Sequence, residues 1–346
     1  MALHVTTRDH VISIDADGSV STHLDGLKPE TVAAHPDAPE RLFCGTFTDG
    51  LYRSTDNGDS WEQVGADVID PGEDPDQTER RGADGGVSVM SVAIDPSDPD
   101  RIWAGTEPSG LFCSPDGGDS WTDIANLTDQ PSADDWAFPP RPYTHHTRTL
   151  AIDPADGDRL YVGIEAGALL LTTDGGETWT DRPPGSRRDN HTLASHPDAP
   201  DRVYSAAGDG FAISADKGES WDHPQVGLDH TYVWGLAVDA GDPDTVVVSS
   251  AHGAGNAHGH GNADSYVYRR TGDGAWSTVA DVPQGDGVLR AVLTSSAPGQ
   301  FVAANNRGVF ESTDGGASWS ELDVAWEEHG GDQGPRSIVD CRPWLA

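Results

Sequence analysis

An eight-residue phrase returns five times along the chain: Ser54 to Trp61 (STDNGDSW), Ser114 to Trp121 (SPDGGDSW), Thr172 to Trp179 (TTDGGETW), Ser214 to Trp221 (SADKGESW) and Ser312 to Trp319 (STDGGASW). Its chemistry is that of a tight turn between two antiparallel strands. The Asp accepts N–H bonds from its own turn, the Gly supplies a positive φ, and the Trp drops a large apolar ring behind it. A weaker copy stands at Arg270 to Trp276 (RTGDGAW), and Ser13 to Val20 (SIDADGSV) reads as a decayed one. A chain so organised is a repeat array.

A second phrase precedes each turn. Val32 to Phe43 matches Val92 to Trp103, Leu150 to Tyr161, Leu193 to Tyr204 and, more loosely, Leu236 to Val247. Each copy is an alternating apolar strand, a proline-bearing turn and a second apolar strand. With a third strand before the repeated turn and a fourth opening at its Trp, each repeat is a four-stranded antiparallel propeller blade. The spacing predicts blades over 27–65, 88–126, 146–183, 189–225, 232–280 and 288–323. The ends complement each other: Arg336 to Pro343 resembles only a first strand, and Leu3 to Leu24 only the remaining three. Joined as 334–346 plus 1–26 they close an all-β, seven-bladed, single-domain ring without exposed sheet edges. Six blades with a tail is the alternative.

The repeated phrase resembles the Asp-box, or bacterial neuraminidase repeat, S-x-D-x-G-x-[S/T]-W. That resemblance covers nearly the whole chain and implies a propeller of the sialidase and glycosidase superfamily. The box is also found in sortilin-type receptors and a photosystem assembly factor, where it is a structural turn.

The net charge of −37, with Lys28 and Lys217 the only lysines, resembles the proteins of salt-accumulating archaea, whose carboxylates keep the surface hydrated. It argues against nucleic acid as a partner. No apolar run is long enough to cross a membrane, and the start carries no secretory pattern, so the expected place is the cytoplasm. Cys44, Cys113 and Cys341 are odd in number and lack metal-site spacing. They are expected as free thiols in a reducing compartment.

Four insertions fall on one predicted face: Gly65 to Val87, Thr128 to His145, Ser250 to Ser265 and Trp326 to Gln333. Loops on a rigid scaffold are where binding resides. On that face, the residue two places before the first-strand apolar position is equivalent in every blade: Glu30, Met90, Arg148, His191, Trp234, Arg290 and Arg336. One alternation further out come Lys28, Ser88, His146, Asp189, Tyr232, Val288 and Gly334, while neighbouring loops add Glu107 and Glu165, among others. Three arginines at one aligned position in so acidic a chain read as an anion pocket, with Trp234 and Tyr232 offering a flat face to a sugar ring. The other reading is a channel plugged by arginine–carboxylate pairs. His252, His258 and His260, with His145, His146, His191 and His230, are the residues for a metal or a general base. No cofactor is otherwise expected, and the spacing names no definite metal site.

If the sialidase resemblance extends to chemistry, Arg148, Arg290 and Arg336 imitate the arginine triad, with Tyr232, Glu30 and Asp189 as nucleophile, its activator and the acid. His146 and His191 remain base candidates. The chain lacks the Arg-Ile-Pro phrase of sialidases. Three functions follow: an enzyme on an anionic carbohydrate, by hydrolysis or by lyase chemistry on a uronate; a non-catalytic propeller that docks a protein through Trp136 to Tyr143; or a small-anion binder.

Overall fold

The structure, a computed structural model, describes residues 1–70, 72, 86–329 and 334–342. Residues 71 and 73–85 of the Gly65 to Val87 insertion, 330–333 of the Trp326 to Gln333 segment, and the last four residues of the chain lie outside that set.

Seven antiparallel sheets form the ring. In the blade that opens at Pro29 the strands are Pro29–His35, Ala38–Thr46, Leu51–Ser54 and Glu62–Val64, paired in chain order. The last sheet is the composite one: Ser337–Asp340 pairs with Ala2–Thr6, which continues to Val11–Asp15 and Val20–His23. The blade over 189–225 departs from the four-strand expectation. It keeps three strands, and its fourth is reduced to a single bridge between Ile213 and Asp222. First strands pack one against the next around the channel, and Ser337–Asp340 closes the circle between Val292–Ala297 and Pro29–His35. Blades approach closely there: a Cβ on Gly45 would lie 2.6 Å from Val89 Cγ1, and one on Gly105 2.5 Å from Thr147 Cγ2, so both positions must be glycine.

The repeated turn explains its own sequence. Ser120 donates from its backbone N to Asp116 Oδ1 (2.8 Å) and from Oγ to Oδ2 (2.6 Å), Gly118 N donates to Ser114 Oγ (2.9 Å), and Trp121 Nε1 donates to Gly118 O (3.1 Å). The other four copies repeat the Asp and Gly bonds. Trp179 differs, donating instead to Asn126 Oδ1 (3.1 Å). These bonds favour the ionised Asp: hydroxyl and N–H donors four residues on hold Asp174 and Asp314 at about 2, against an ordinary 3.8. Because the folded value is depressed, their contribution is complete above the unfolded value and lost as pH falls through about 2. An Asp174→Asn/Asp314→Asn variant should therefore show a shallower fall of Tm between pH 4 and pH 2 than the native protein, measured by calorimetry. Equal slopes would remove these carboxylates from the acid response.

Between blades the ring is latched by side chains of the second phrase. Arg41 pairs with Asp100 (2.7 Å) and Arg101 with Asp158 (2.6 Å); Tyr161 and Tyr204 hydroxyls donate to Lys217 O (3.0 Å) and Pro243 O (2.7 Å) of the following blade. His35 and His196 take the place of the turn Asp, each accepting a backbone N–H at Nδ1 and donating from Nε2 to the carbonyls of Pro96 and Asp239.

Candidate functional site

The aligned ring of residues has a structural cause. In five blades the first strand carries a register shift that skips one residue, and the skipped residues are Glu30, Met90, Arg148, His191 and Trp234. Such a bulge takes a residue out of the ladder and re-aims its side chain. Arg290 and Arg336 stand just before the two remaining first strands.

These side chains surround a cavity of about 670 Å³. Glu30, Arg148, Arg290, Arg336, Trp234, Tyr232, His146, Asp189 and Glu165 line it; His191 lies one layer beneath. Two insertions wall it, through Phe138 to Arg141 and through Ala254 to His260, and no repeated-turn residue reaches it.

The arginines are not equivalent. Arg336 Nη1 is 3.5 Å from Glu30 Oε2, and Arg148 lies 3.9 Å from the same oxygen and 3.8 Å from Glu165. Arg290 is 3% exposed and, among the described residues, has no carboxylate within 4.0 Å. Its Nη1 donates to Pro335 O (2.6 Å) and its Nε to His258 Nδ1 (3.1 Å). Burial, then the charges of Arg336 and Arg148, hold its proton affinity well below the usual arginine value.

Trp234 lines the cavity, but its ring is crowded. It is 6% exposed, with the Arg290 and Arg148 guanidiniums 4.4 and 4.7 Å from its ring centre and the His191 ring at 4.3 Å. With these groups and the edge-on His258 ring at 4.4 Å around it, the ring is a wedge between cations rather than an open platform. Tyr232, half-buried, stays on the wall, its hydroxyl 3.2 Å from His258 Nε2. Burial and then Glu165 and Asp189 push that phenol up.

His258, in the Gly-rich Ser250 to Ser265 insertion, is held in place. The segment forms a short helix, Ala254–His258, and Arg290 N donates to Ala257 O (3.1 Å). Because Arg290 Nε–H occupies Nδ1, the His258 proton sits on Nε2 and points to Tyr232. Desolvation of the ring against its neighbours, and the Arg290 charge, lower His258, although the residue as a whole remains exposed. Among the described residues His252, His258 and His260 form no ligand cluster; Glu165, Asp189 and His191 do.

Glu165 is placed at the mouth by the sequence but given no role there. Burial would push its carboxyl up, but His146 at 2.8 Å, His191 and Arg148 outweigh burial and hold it well below the ordinary range. His146 is raised despite its burial, because Glu165 and Glu107 flank it. Burial pushes Asp189 up, opposed by His191 and reinforced by Glu165. The expected docking anchor is also revised: Trp136 is 5% exposed, donates from Nε1 to Ser132 Oγ (2.9 Å) and belongs to the core, leaving Tyr143 exposed.

No family model matches the chain. It is similar to an oligoxyloglucan-reducing end-specific xyloglucanase of Emericella nidulans, 26% identical over 205 residues, covering 55% of this chain and 23% of that protein. It is similar to a xyloglucanase of Acetivibrio thermocellus, 25% identical over 292 residues, covering 72% and 32%. A xyloglucanase of a Paenibacillus species is 29% identical over 267 residues, covering 67% and 25%. The chain thus spans about a quarter to a third of the length of these curated relatives. Among solved structures, an ancestral GH74 enzyme superposes with TM-score 0.62 at 14% identity, covering 93% of this chain and 40% of that one. YCF48 bound to D1 peptide superposes with TM-score 0.59 at 14% identity, covering 98% and 94%. Both likenesses are of fold.

Proposed function

We propose that this propeller is a carbohydrate-active protein of the glycoside-hydrolase type, and that its cavity takes the carboxylated sugar of an anionic oligosaccharide. The observation that carries this reading is Arg290, a buried guanidinium with no carboxylate within 4.0 Å among the described residues. An uncompensated buried cation is costly, and an anionic ligand accepting charge-assisted bonds offsets that cost. Arg148 and Arg336 add two further positive charges; they share Glu30, and Arg148 also meets Glu165. The likeness to xyloglucanases supports a saccharide over a bare anion, and the cavity volume lies in the range of small-molecule sites. The turn geometry supports an Asp-box ancestry. The charge of −37 and three free thiols support a salt-adapted cytoplasmic setting.

Calorimetric titration in molar KCl with uronic-acid oligosaccharides, and with neutral xyloglucan oligosaccharides as comparison, tests the reading. Uronates should bind, and Arg290→Met should weaken them tenfold or more, the value of a charge-assisted bond. Neutral sugars binding equally well, with Arg290→Met silent, would overturn it. Mass spectrometry of the same mixtures reports whether glycosidic bonds are cut.

A second reading has its own support. YCF48, whose structure holds a D1 peptide, is also close to this chain in extent, each covering over nine-tenths of the other. A peptide C-terminal carboxylate would suit Arg290 equally well. A free-acid peptide that binds more tightly than the uronates, and loses affinity on amidation, would favour protein docking.

A further inference from the structure

Beneath the arginines, residues from two adjacent blades point at one another. Glu165 follows strand Asp156–Ile164, while Asp189 and His191 bracket the start of strand Asn190–Ser195. His191 Nε2 lies 3.7 Å from Asp189 Oδ1 and 3.9 Å from Glu165 Oε1, and one donor atom from each residue stands within 4.8 Å of the other two.

The state of His191 follows from its other nitrogen. Nδ1 is 2.7 Å from Val233 O, and a carbonyl only accepts, so Nδ1 carries the proton. In the neutral ring Nε2 then holds a lone pair. That atom is buried, makes no hydrogen bond and is aimed between two carboxylates. A proton there would be an unsatisfied donor as well, because both oxygens are too distant to accept it.

We propose that Glu165, Asp189 and His191 bind a divalent cation. Ligand bonds of about 2.1 Å place tetrahedral donors about 3.4 Å apart, which these side chains reach by closing around the ion. The outer contacts that a metal site needs are already made. His146 Nε2 donates to Glu165 Oε2 (2.8 Å) and leaves Oε1 free, Ala166 N donates to Asp189 Oδ1 (2.9 Å), and Val233 O fixes the His191 tautomer. Two carboxylates and an imidazole suit Mn²⁺ or Zn²⁺, and the absence of thiolate argues against a soft ion. Arg148 and His146 oppose the cation, but each has a second carboxylate of its own, Glu30 at 3.9 Å and Glu107 at 3.3 Å. Glu165 and Asp189 line the cavity, so the remaining coordination positions face it. A site with three protein ligands and an open side is built to take water or a ligand hydroxyl.

The proposal does not depend on the saccharide reading and is tested with the metal alone. The full chain, stripped with chelator and dialysed into molar KCl, is titrated with MnCl₂, following bound Mn²⁺ by paramagnetic resonance, and with ZnCl₂ by calorimetry. The expected result is one saturable site per chain. His191→Gln and Asp189→Asn should each weaken it tenfold or more, with an exposed-surface variant, Asp134→Asn, unchanged. Asp189 is only half-buried, so its variant keeps the test alive should His191→Gln fail to fold. Diffuse, unsaturable uptake that is the same in native protein and Asp189→Asn would overturn the proposal.

Discussion

Ile338→Asp should lower the unfolding free energy by on the order of 4 kcal/mol, because it places an unpaired charge in the core at the seam of the ring. Ile338 is 9% exposed and packs with Leu3, Val5, Ile12 and Trp326. Its strand, Ser337–Asp340, supplies both the fourth member of the composite sheet and the only first strand between its neighbours. For a chain of this length that loss corresponds to a fall in Tm of roughly 6 °C. Deleting residues 334–346 should do more, leaving Ala2–Thr6 as an open edge and two first strands without a neighbour. The truncated chain should lose its sharp calorimetric transition and bind a hydrophobic dye. A truncated protein that melts like the native one would show the ring to be stable without closure.

Acidification from pH 7.5 to pH 4 should cost about 3 kcal/mol through one residue, His4. Its ring is 0% exposed, with Nδ1 2.9 Å from Ser13 Oγ. Burial, with a smaller contribution from His23, lowers it from 6.5 to about 4, against the pull of Asn57 and Asp15. The folded value is depressed, so the unfolded chain takes up the proton first. Stability is complete above 6.5 and is lost as pH falls through about 4. Urea denaturation in molar KCl at pH 7.5, 5.5 and 4.0 measures this directly. A His4→Gln variant should show a smaller loss over that window by roughly this amount, since carboxylates that titrate near pH 4 affect both proteins alike. Parallel curves would exonerate His4.

The seven-bladed ring was legible in the chain because its signals are local and repeated. A turn that needs Asp, Gly and Trp at fixed spacing leaves the same mark wherever it occurs, and the complementary ends imply closure. The aligned ring of Glu30, Arg148, Trp234, Arg290 and Arg336 was legible for the same reason. What those side chains touch was not. Trp234 reads as a sugar platform until Arg148, from a blade two places back, and Arg290, from the next blade, are seen over its ring. Glu165 is the sole acidic residue of a short loop after Ile164, and its importance comes from His146 of its own blade and His191 of the next, which flank it in space. The Ser250 to Ser265 segment reads as flexible by composition, yet it is held by two bonds to Arg290. In each case the missing information was a contact between side chains far apart in sequence, which periodicity does not encode.

The composite sheet also sets how the molecule answers a pull. Leu3 pairs with Asp340 and Thr6 with Ser337, so the two chain ends leave the same edge of one antiparallel pair. Tension applied at both ends would peel this pair bond by bond instead of loading all its hydrogen bonds at once. A ring that resists heat through closure should therefore open at low force along that one zipper.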